Sequence, residues 1–175
     1  MYKEYSSQDV LPSRSYRRVQ VILLWLAVSI GWSVSIFSLI QELCLATACH
    51  DTASFTIFGF NMGWFGIAYF SILLIVLWLK KQIYVMEWVF SAMVFAGIGS
   101  EFRLLWIQKY IIGGWCPLCV TICCSLFVAA LLLVVEKAQG AGNNCGENPL
   151  RWSAFVVTMI ATGLAIAIIG VKALT

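Results

Sequence analysis

The chain has 175 residues, of which 62% are hydrophobic and only 11% are charged. Soluble domains carry about 25% charged residues, so this composition argues against a soluble globular protein and favours a membrane protein. The net charge of +3 is small, and no basic stripe with interleaved aromatic residues indicates nucleic-acid binding.

Five apolar segments follow one another along the chain, each close to the roughly 20 residues that a transmembrane helix needs. They span residues 19–41, 58–79, 84–105, 116–136 and 152–171. We therefore predict an all-α integral membrane protein, with a four-helix transmembrane bundle plus a fifth transmembrane helix. The predicted regions are a cytoplasmic N-terminal tail (1–18), the four-helix bundle (19–136), a cytoplasmic loop (137–151), and the fifth helix with a short outer tail (152–175).

The first apolar segment follows several arginines, as the apolar core of a signal peptide does. It is longer than such a core and shows no small-residue cleavage site, so we predict an uncleaved span. Lys and Arg accumulate in cytoplasmic segments, and a cytoplasmic N-terminus places eight basic residues inside and three outside. The inside set is Lys3, Arg14, Arg17, Arg18, Lys80, Lys81, Lys137 and Arg151, and the outside set is Arg103, Lys109 and Lys172.

Four of the seven cysteines fall on the predicted outer face, in two pairs from separate segments. Cys44 and Cys49 lie in the first outer loop, and Cys116 and Cys119 open the fourth span. Disulfides persist outside the cytoplasm, so this placement indicates redox chemistry. No role is assigned to the remaining cysteines, which are Cys123, Cys124 and Cys145.

The second pair belongs to the stretch WCPLC, residues 115–119. A Cys-x-x-Cys pair at a helix start suits thiol–disulfide exchange, because the positive end of the helix favours a thiolate. Pro117 fits the first helical turn, where its missing N–H has no partner to lose. The alternative is that Cys116 and Cys119 are small buried residues without chemistry.

The first pair, Cys44 and Cys49, has two interpretations. It is either a structural disulfide that closes a small loop or a mobile pair that passes electrons to the helix-top pair by thiol exchange. His50, the only histidine, either favours a thiolate on a neighbouring cysteine or is a solvated loop residue without a role.

A lipid-soluble quinone is a candidate electron acceptor, because Cys119 lies one turn deeper than Cys116. Phe58, Trp64 and Trp115 are candidate walls of its site, although aromatic residues also form the interfacial belt of membrane proteins. Asn61 and Ser54 are candidate hydrogen-bonding groups for a quinone, or alternatively helix caps.

Two charged residues end the third span, Glu101 and Arg103. We expect them at the outer interface, where charges cost little, and we expect them to anchor the depth of the span. The alternative for Glu101 is a proton carrier.

Three motifs in this order resemble the vitamin K epoxide reductase family over roughly residues 19–136. They are the loop pair CLATACH, the start of the second span FGFNMGWFG, and WCPLC at the fourth span. The resemblance implies a four-helix bundle around a quinone (ubiquinone or menaquinone). It implies that Cys119 reacts with the quinone, Cys116 exchanges with Cys49, and Cys44 takes electrons from an external thiol protein.

Bacterial members that resemble this chain oxidise a thioredoxin-like partner in the cytoplasmic membrane, with the active site on the periplasmic face. Many carry that partner as a fused domain, whereas this sequence ends at Thr175, so we expect a separate periplasmic thioredoxin-like protein. The tyrosine of the vertebrate members, one turn after the second motif cysteine, is Cys123 here. Reduction of a quinone is therefore expected rather than of vitamin K epoxide.

The expected function is thus a membrane thiol oxidase that supports disulfide formation. The alternatives are a reductase of a vitamin K-type quinone or its epoxide, a metal-binding membrane module with outward thiolates, and a non-catalytic subunit with structural disulfides. No haem site is predicted, because Val120 follows the Cys-x-x-Cys pair in place of histidine.

Overall fold

Five helices and three short strands make up the part of the chain that the structure, a computed structural model, describes: residues 14–44, 55–57, 60–80, 82–83, 85–140 and 149–173. The helices are α1 (Arg14–Cys44), α2 (Met62–Leu79), α3 (Val85–Ile107), α4 (Pro117–Gly140) and α5 (Pro149–Gly170), and a π-helical turn, Gln108–Ile112, extends α3. The strands are β1 (Phe55–Ile57), β2 (Phe60–Asn61) and β3 (Val171–Ala173).

The five helices fall on the five predicted apolar segments. Four of them, α1, α3, α4 and α5, are long and apolar enough to cross a membrane, which supports a multi-pass helical membrane protein. The apolar stretch of α2, Gly63–Leu79, is shorter and reaches about 26 Å at 1.5 Å per residue. Its predicted start at residue 58 was too early, because β2 occupies Phe60–Asn61.

Four helices close into a ring, because α1 packs against α2 and α4, and α3 also packs against α2 and α4. Gly31 of α1 lies against Phe70 of α2 and Ser125 of α4, where a larger residue would force the helices apart. The fifth helix lies outside the ring and packs along α3. The predicted arrangement of a four-helix bundle plus one further helix therefore matches the helix packing.

The interior and the surface of the bundle are both apolar. Phe90, Leu73 and Val94 are fully enclosed in the core. On the surface, Leu150 and Ile169 of α5 are 79% and 71% exposed. Soluble monomers rarely expose contiguous apolar faces of this kind, so the outer surface suits lipid.

A three-stranded sheet of order β2-β1-β3 lies at one end of the bundle, which we call the sheet end. Thr56 of β1 pairs with Asn61 of β2 and with Lys172 of β3, both antiparallel. The sheet therefore ties the start of α2 to the end of α5. Apart from this small sheet the described residues are almost entirely helical, as the sequence predicts, and each strand is too short to show a hydrophobic period.

The opposite end carries two ion pairs. Lys80 Nζ lies 2.8 Å from Glu136 Oε2, and Lys137 Nζ lies 3.8 Å from Glu87 Oε1. These pairs connect α2 and α3 to α4, and we call this end the ion-pair end.

Glu101 and Arg103 differ from their expected place at the outer interface. Both lie within the apolar stretch Val85–Ile111. Glu101 Oε2 and Arg103 Nε are buried, and no described residue forms a hydrogen bond with either atom. The prediction was wrong because local sequence shows that a charge lies near the end of a span but not that the helix continues for further turns.

Candidate functional site

The Cys-x-x-Cys pair begins α4, as its sequence predicts. The N–H of Val120 donates to the carbonyl of Cys116 at 3.1 Å, which closes the first turn of the helix. Cys116 is therefore the N-cap residue, and Pro117 is the first residue of the helix. The preceding turn requires a glycine, because Gly113 has a φ of 74°, a conformation that other residues adopt at a cost.

The two thiols of the motif lie together at the sheet end. Cys116 is buried, with 6% of its surface exposed, and Cys119 is partly exposed. The side chains of Cys116 and Cys119 form a hydrogen bond, as expected for positions three apart at a helix start. This geometry suits a reversible dithiol–disulfide pair, since the two sulfurs are already neighbours.

Gln108 organises the start of α4 from the end of α3. Its side chain is almost fully enclosed, with 2% exposed. Its Oε1 accepts a hydrogen bond from the Cys116 N–H at 3.4 Å, and its side chain also hydrogen-bonds Cys119. Its backbone carbonyl accepts from Gly114 N–H at 3.2 Å. Its only signal in the sequence is one uncharged polar residue in an apolar run, eight residues before Cys116, and no role was predicted for it.

Polar groups continue inward from the motif along the contact between α3 and α4. Gly97 of α3 faces Leu126 of α4, and Gln108 of α3 bonds to Cys116 at the start of α4. These two contacts show that α3 and α4 run antiparallel and fix their register. Glu101 then lies at the level of Cys123, about one helical turn inward of Cys119. Tyr69 of α2 completes this group, because its hydroxyl lies beside Gly97 and donates to the Met93 carbonyl at 2.8 Å.

The first loop pair is described in part. Helix α1 ends at Cys44. Gly31 of α1 lies against Ser125 of α4, and this contact serves as a common reference level for the two helices. Cys44 and Cys116 both lie on the sheet-end side of it. At 1.5 Å per residue, Cys44 is about 20 Å from this level and Cys116 about 14 Å, so the backbone of Cys44 lies about one turn beyond Cys116.

Several predicted residues lie outside the described part of the chain. They are Cys49, His50, Ser54, Phe58 and Cys145. Their predicted roles stay predictions.

The other candidate quinone-binding residues lie at the sheet end. Asn61 ends β2, one residue before α2. The rings of Trp64 and Trp115 are 59% and 60% exposed. Trp106 and Tyr110 stack nearby, with ring centroids 4.2 Å apart. The exposed rings fit both interpretations of the sequence, an interfacial aromatic belt and the walls of a quinone site.

The cysteines of the described residues show no metal cluster. Cys123 is buried and Cys124 is exposed, and no three His, Cys, Asp or Glu side chains come together among the described residues. A metal-binding alternative therefore depends on the first outer loop. Comparison of the chain with protein-family models, curated proteins and solved structures finds no match.

Proposed function

We propose that the chain is a membrane thiol oxidase that reoxidises a thioredoxin-like protein and passes the electrons to a quinone. The observation that carries the proposal is the thiol pair of Cys116 and Cys119 at the N-terminus of α4, in hydrogen-bond contact at the end of an apolar bundle. The end of α1 at Cys44 lies at the same end, which supports a second pair within reach.

The proposed electron path has three exchanges. A reduced dithiol of the partner attacks the Cys44–Cys49 disulfide, and the partner leaves as a disulfide. The reduced Cys49 then attacks Cys116 of the Cys116–Cys119 disulfide, and Cys44 resolves the mixed disulfide. The Cys116–Cys119 dithiol finally gives two electrons to the quinone and becomes a disulfide again.

The residues around Cys119 fit a quinone, a flat apolar molecule with two carbonyl oxygens. Cys119 is partly exposed, and the exposed rings of Trp106 and Trp115 lie at the same end. The Gln108 amide supplies a polar group beside the thiol. When bound, the quinone accepts two electrons, whereas the chain holds the reacting thiols in place.

The proposed location is the bacterial cytoplasmic membrane, with the sheet end on the periplasmic side. Lys80 and Lys137 lie at the ion-pair end, which then faces the cytoplasm in agreement with the positive-inside rule. Among the described residues outside the α-helices, Lys109 and Lys172 lie at the sheet end.

The test replaces Cys119 with serine and measures quinone reduction by a reduced thioredoxin-like protein. We expect Cys119→Ser to lower the rate to background, because no thiol remains to complete the disulfide with Cys116. Cys124→Ser is the matched control, since Cys124 lies on the same helix and is exposed. A normal rate with Cys119→Ser rejects the proposal.

A further inference from the structure

Glu101 is an ionisable residue inside the bundle that the proposed electron path does not use. It lies in the apolar stretch Val85–Ile111, and no described residue hydrogen-bonds its buried Oε2. Placing a carboxylate inside a membrane bundle costs several kcal/mol by order of magnitude, so such residues usually serve a function.

The position of Glu101 links it to the thiols. It lies seven residues before Gln108, which is two helical turns on the same face of α3, and Gln108 contacts both motif cysteines. Glu101 interacts electrostatically with Cys119 and with Cys123. The carboxyl therefore lies about one helical turn inward of the pair, at the level of Cys123.

Two neighbouring polar side chains, Tyr69 and Arg103, hold Glu101 in no described hydrogen bond or ion pair. Tyr69 from α2 already donates its hydroxyl hydrogen to the Met93 carbonyl. Arg103 lies two residues away on α3, on the opposite face of the helix, and holds no described ion pair with Glu101. A carboxyl without a fixed partner gains and loses a proton without breaking a salt bridge.

We propose that Glu101 carries the proton of the Cys119 thiol to the quinone oxygen during reoxidation of the Cys116–Cys119 pair, an inference that rests on the proposed function. The Glu101 carboxylic acid donates its proton to a quinone oxygen, and the resulting carboxylate takes the Cys119 S–H proton as the sulfur gives up its electrons. The Cys116 proton leaves to water at the sheet end, and an equal proton from water completes the quinol. Two electrons and two protons thus leave the dithiol, a disulfide bond forms, and Glu101 ends as it began.

The kinetic test compares Glu101→Gln with the wild-type chain, both full length. Quinone reduction by a reduced thioredoxin-like protein is measured with short-chain ubiquinone and with short-chain menaquinone. We expect the variant to be slower by about a hundredfold, in the range of general acid–base catalysis. Glu101→Asp should restore part of the rate, because it keeps the carboxyl. Glu87→Gln is the control on the same helix at the ion-pair end.

A second measurement needs no quinone. Infrared difference spectra are recorded between the dithiol and disulfide states of the Cys116–Cys119 pair, set with a soluble thiol reductant and oxidant. We expect a change in a carboxylic-acid C=O band that disappears in Glu101→Gln, shifts in Glu101→Asp and persists in Glu87→Gln. A merely structural role of Glu101 leaves no such band coupled to the thiols.

The outcomes separate the inference from the proposed function. A wild-type chain that reduces neither quinone overturns both. A wild-type chain that is active, with Glu101→Gln equally active and no coupled band, overturns only the proton transfer. If Glu101→Gln does not fold, Glu101→Asp is used in its place. A wild-type rate of quinone reduction together with a wild-type band position in Glu101→Asp would overturn the proton transfer.

Discussion

Helix α3 has two faces that pack in opposite ways. Toward α5 it presents small residues, and backbones meet directly: a Cβ at Gly163 of α5 would collide with the Ala96 carbonyl, and one at Gly99 with the Ile160 carbonyl. Toward α4 it presents Gln108 and Glu101, whose polar groups lie among thiols. One face therefore packs backbone against backbone, and the other places polar side chains beside the thiols.

The difference follows from what association in lipid requires. Between apolar helices in a membrane the hydrophobic effect contributes little, so small residues that allow close van der Waals contact stabilise a pair. The Ser100 hydroxyl adds a hydrogen bond to the Gly163 carbonyl at 3.1 Å. Buried polar groups such as Glu101 work against stability and persist where they serve a function. We therefore expect mutations on the α5 face to change stability and those on the α4 face to change reactivity.

The largest effect on stability is expected at the α5 face. Gly163→Leu forces α3 and α5 apart, because the added side chain meets the Ala96 backbone. The free energy of unfolding should fall by about 3 kcal/mol or more, at the upper end for overpacking. Thermal unfolding in detergent measures it. Ala161→Leu is the matched control, since residue 161 is exposed on the same helix, and equal unfolding of the two variants would contradict the close-packing account.

A smaller effect on stability and a distinct effect on reactivity are expected at Gln108. Gln108→Leu keeps the volume but leaves the Cys116 N–H without its acceptor, which costs about 1–3 kcal/mol for a buried donor. The start of α4 should loosen, so labelling of Cys116 by a maleimide, followed by mass spectrometry, should become faster. Gln82→Leu, at an exposed residue beyond α2, should change neither the free energy of unfolding nor the rate of Cys116 labelling. Unchanged labelling of Cys116 would show that Gln108 does not hold the motif.

The smallest effect on the free energy of unfolding is expected at the ion-pair end, where the charged side chains are partly exposed to water. Lys80→Met removes the pair with Glu136, whose side chains are 15% and 41% exposed. Pairs with this access to water contribute about 0–1 kcal/mol, and the loss should shrink further at high salt. The free energy of unfolding is measured for Lys80→Met at low and at high salt. Lys109→Met, at the sheet end, is the control. A fall of several kcal/mol in the free energy of unfolding would show that water is excluded from this ion pair, as it is from the Glu101 carboxyl.

The sequence predicted the helices well and the site in part. Five apolar runs fell on five helices, and the start of α4 at Pro117 followed from the Cys-Pro-Leu-Cys spacing. Glu101 was predicted to lie at the interface, and no role was predicted for Gln108. The position of Glu101 depends on how far α3 continues beyond it, whereas the contact of Gln108 with α4 depends on the register between two helices that are joined by a glycine turn. Hydropathy carries no information on that register.

The sequence alone determined that this chain forms apolar helices and that a thiol pair stands at the start of one of them, because hydropathy and helix capping act within a few neighbouring residues. Only the tertiary structure decided that α5 packs on α3 through Gly99 and Gly163, and that Gln108 and Glu101 line the thiols. Those contacts depend on the shape of one helix surface against another, which residues distant in sequence create together.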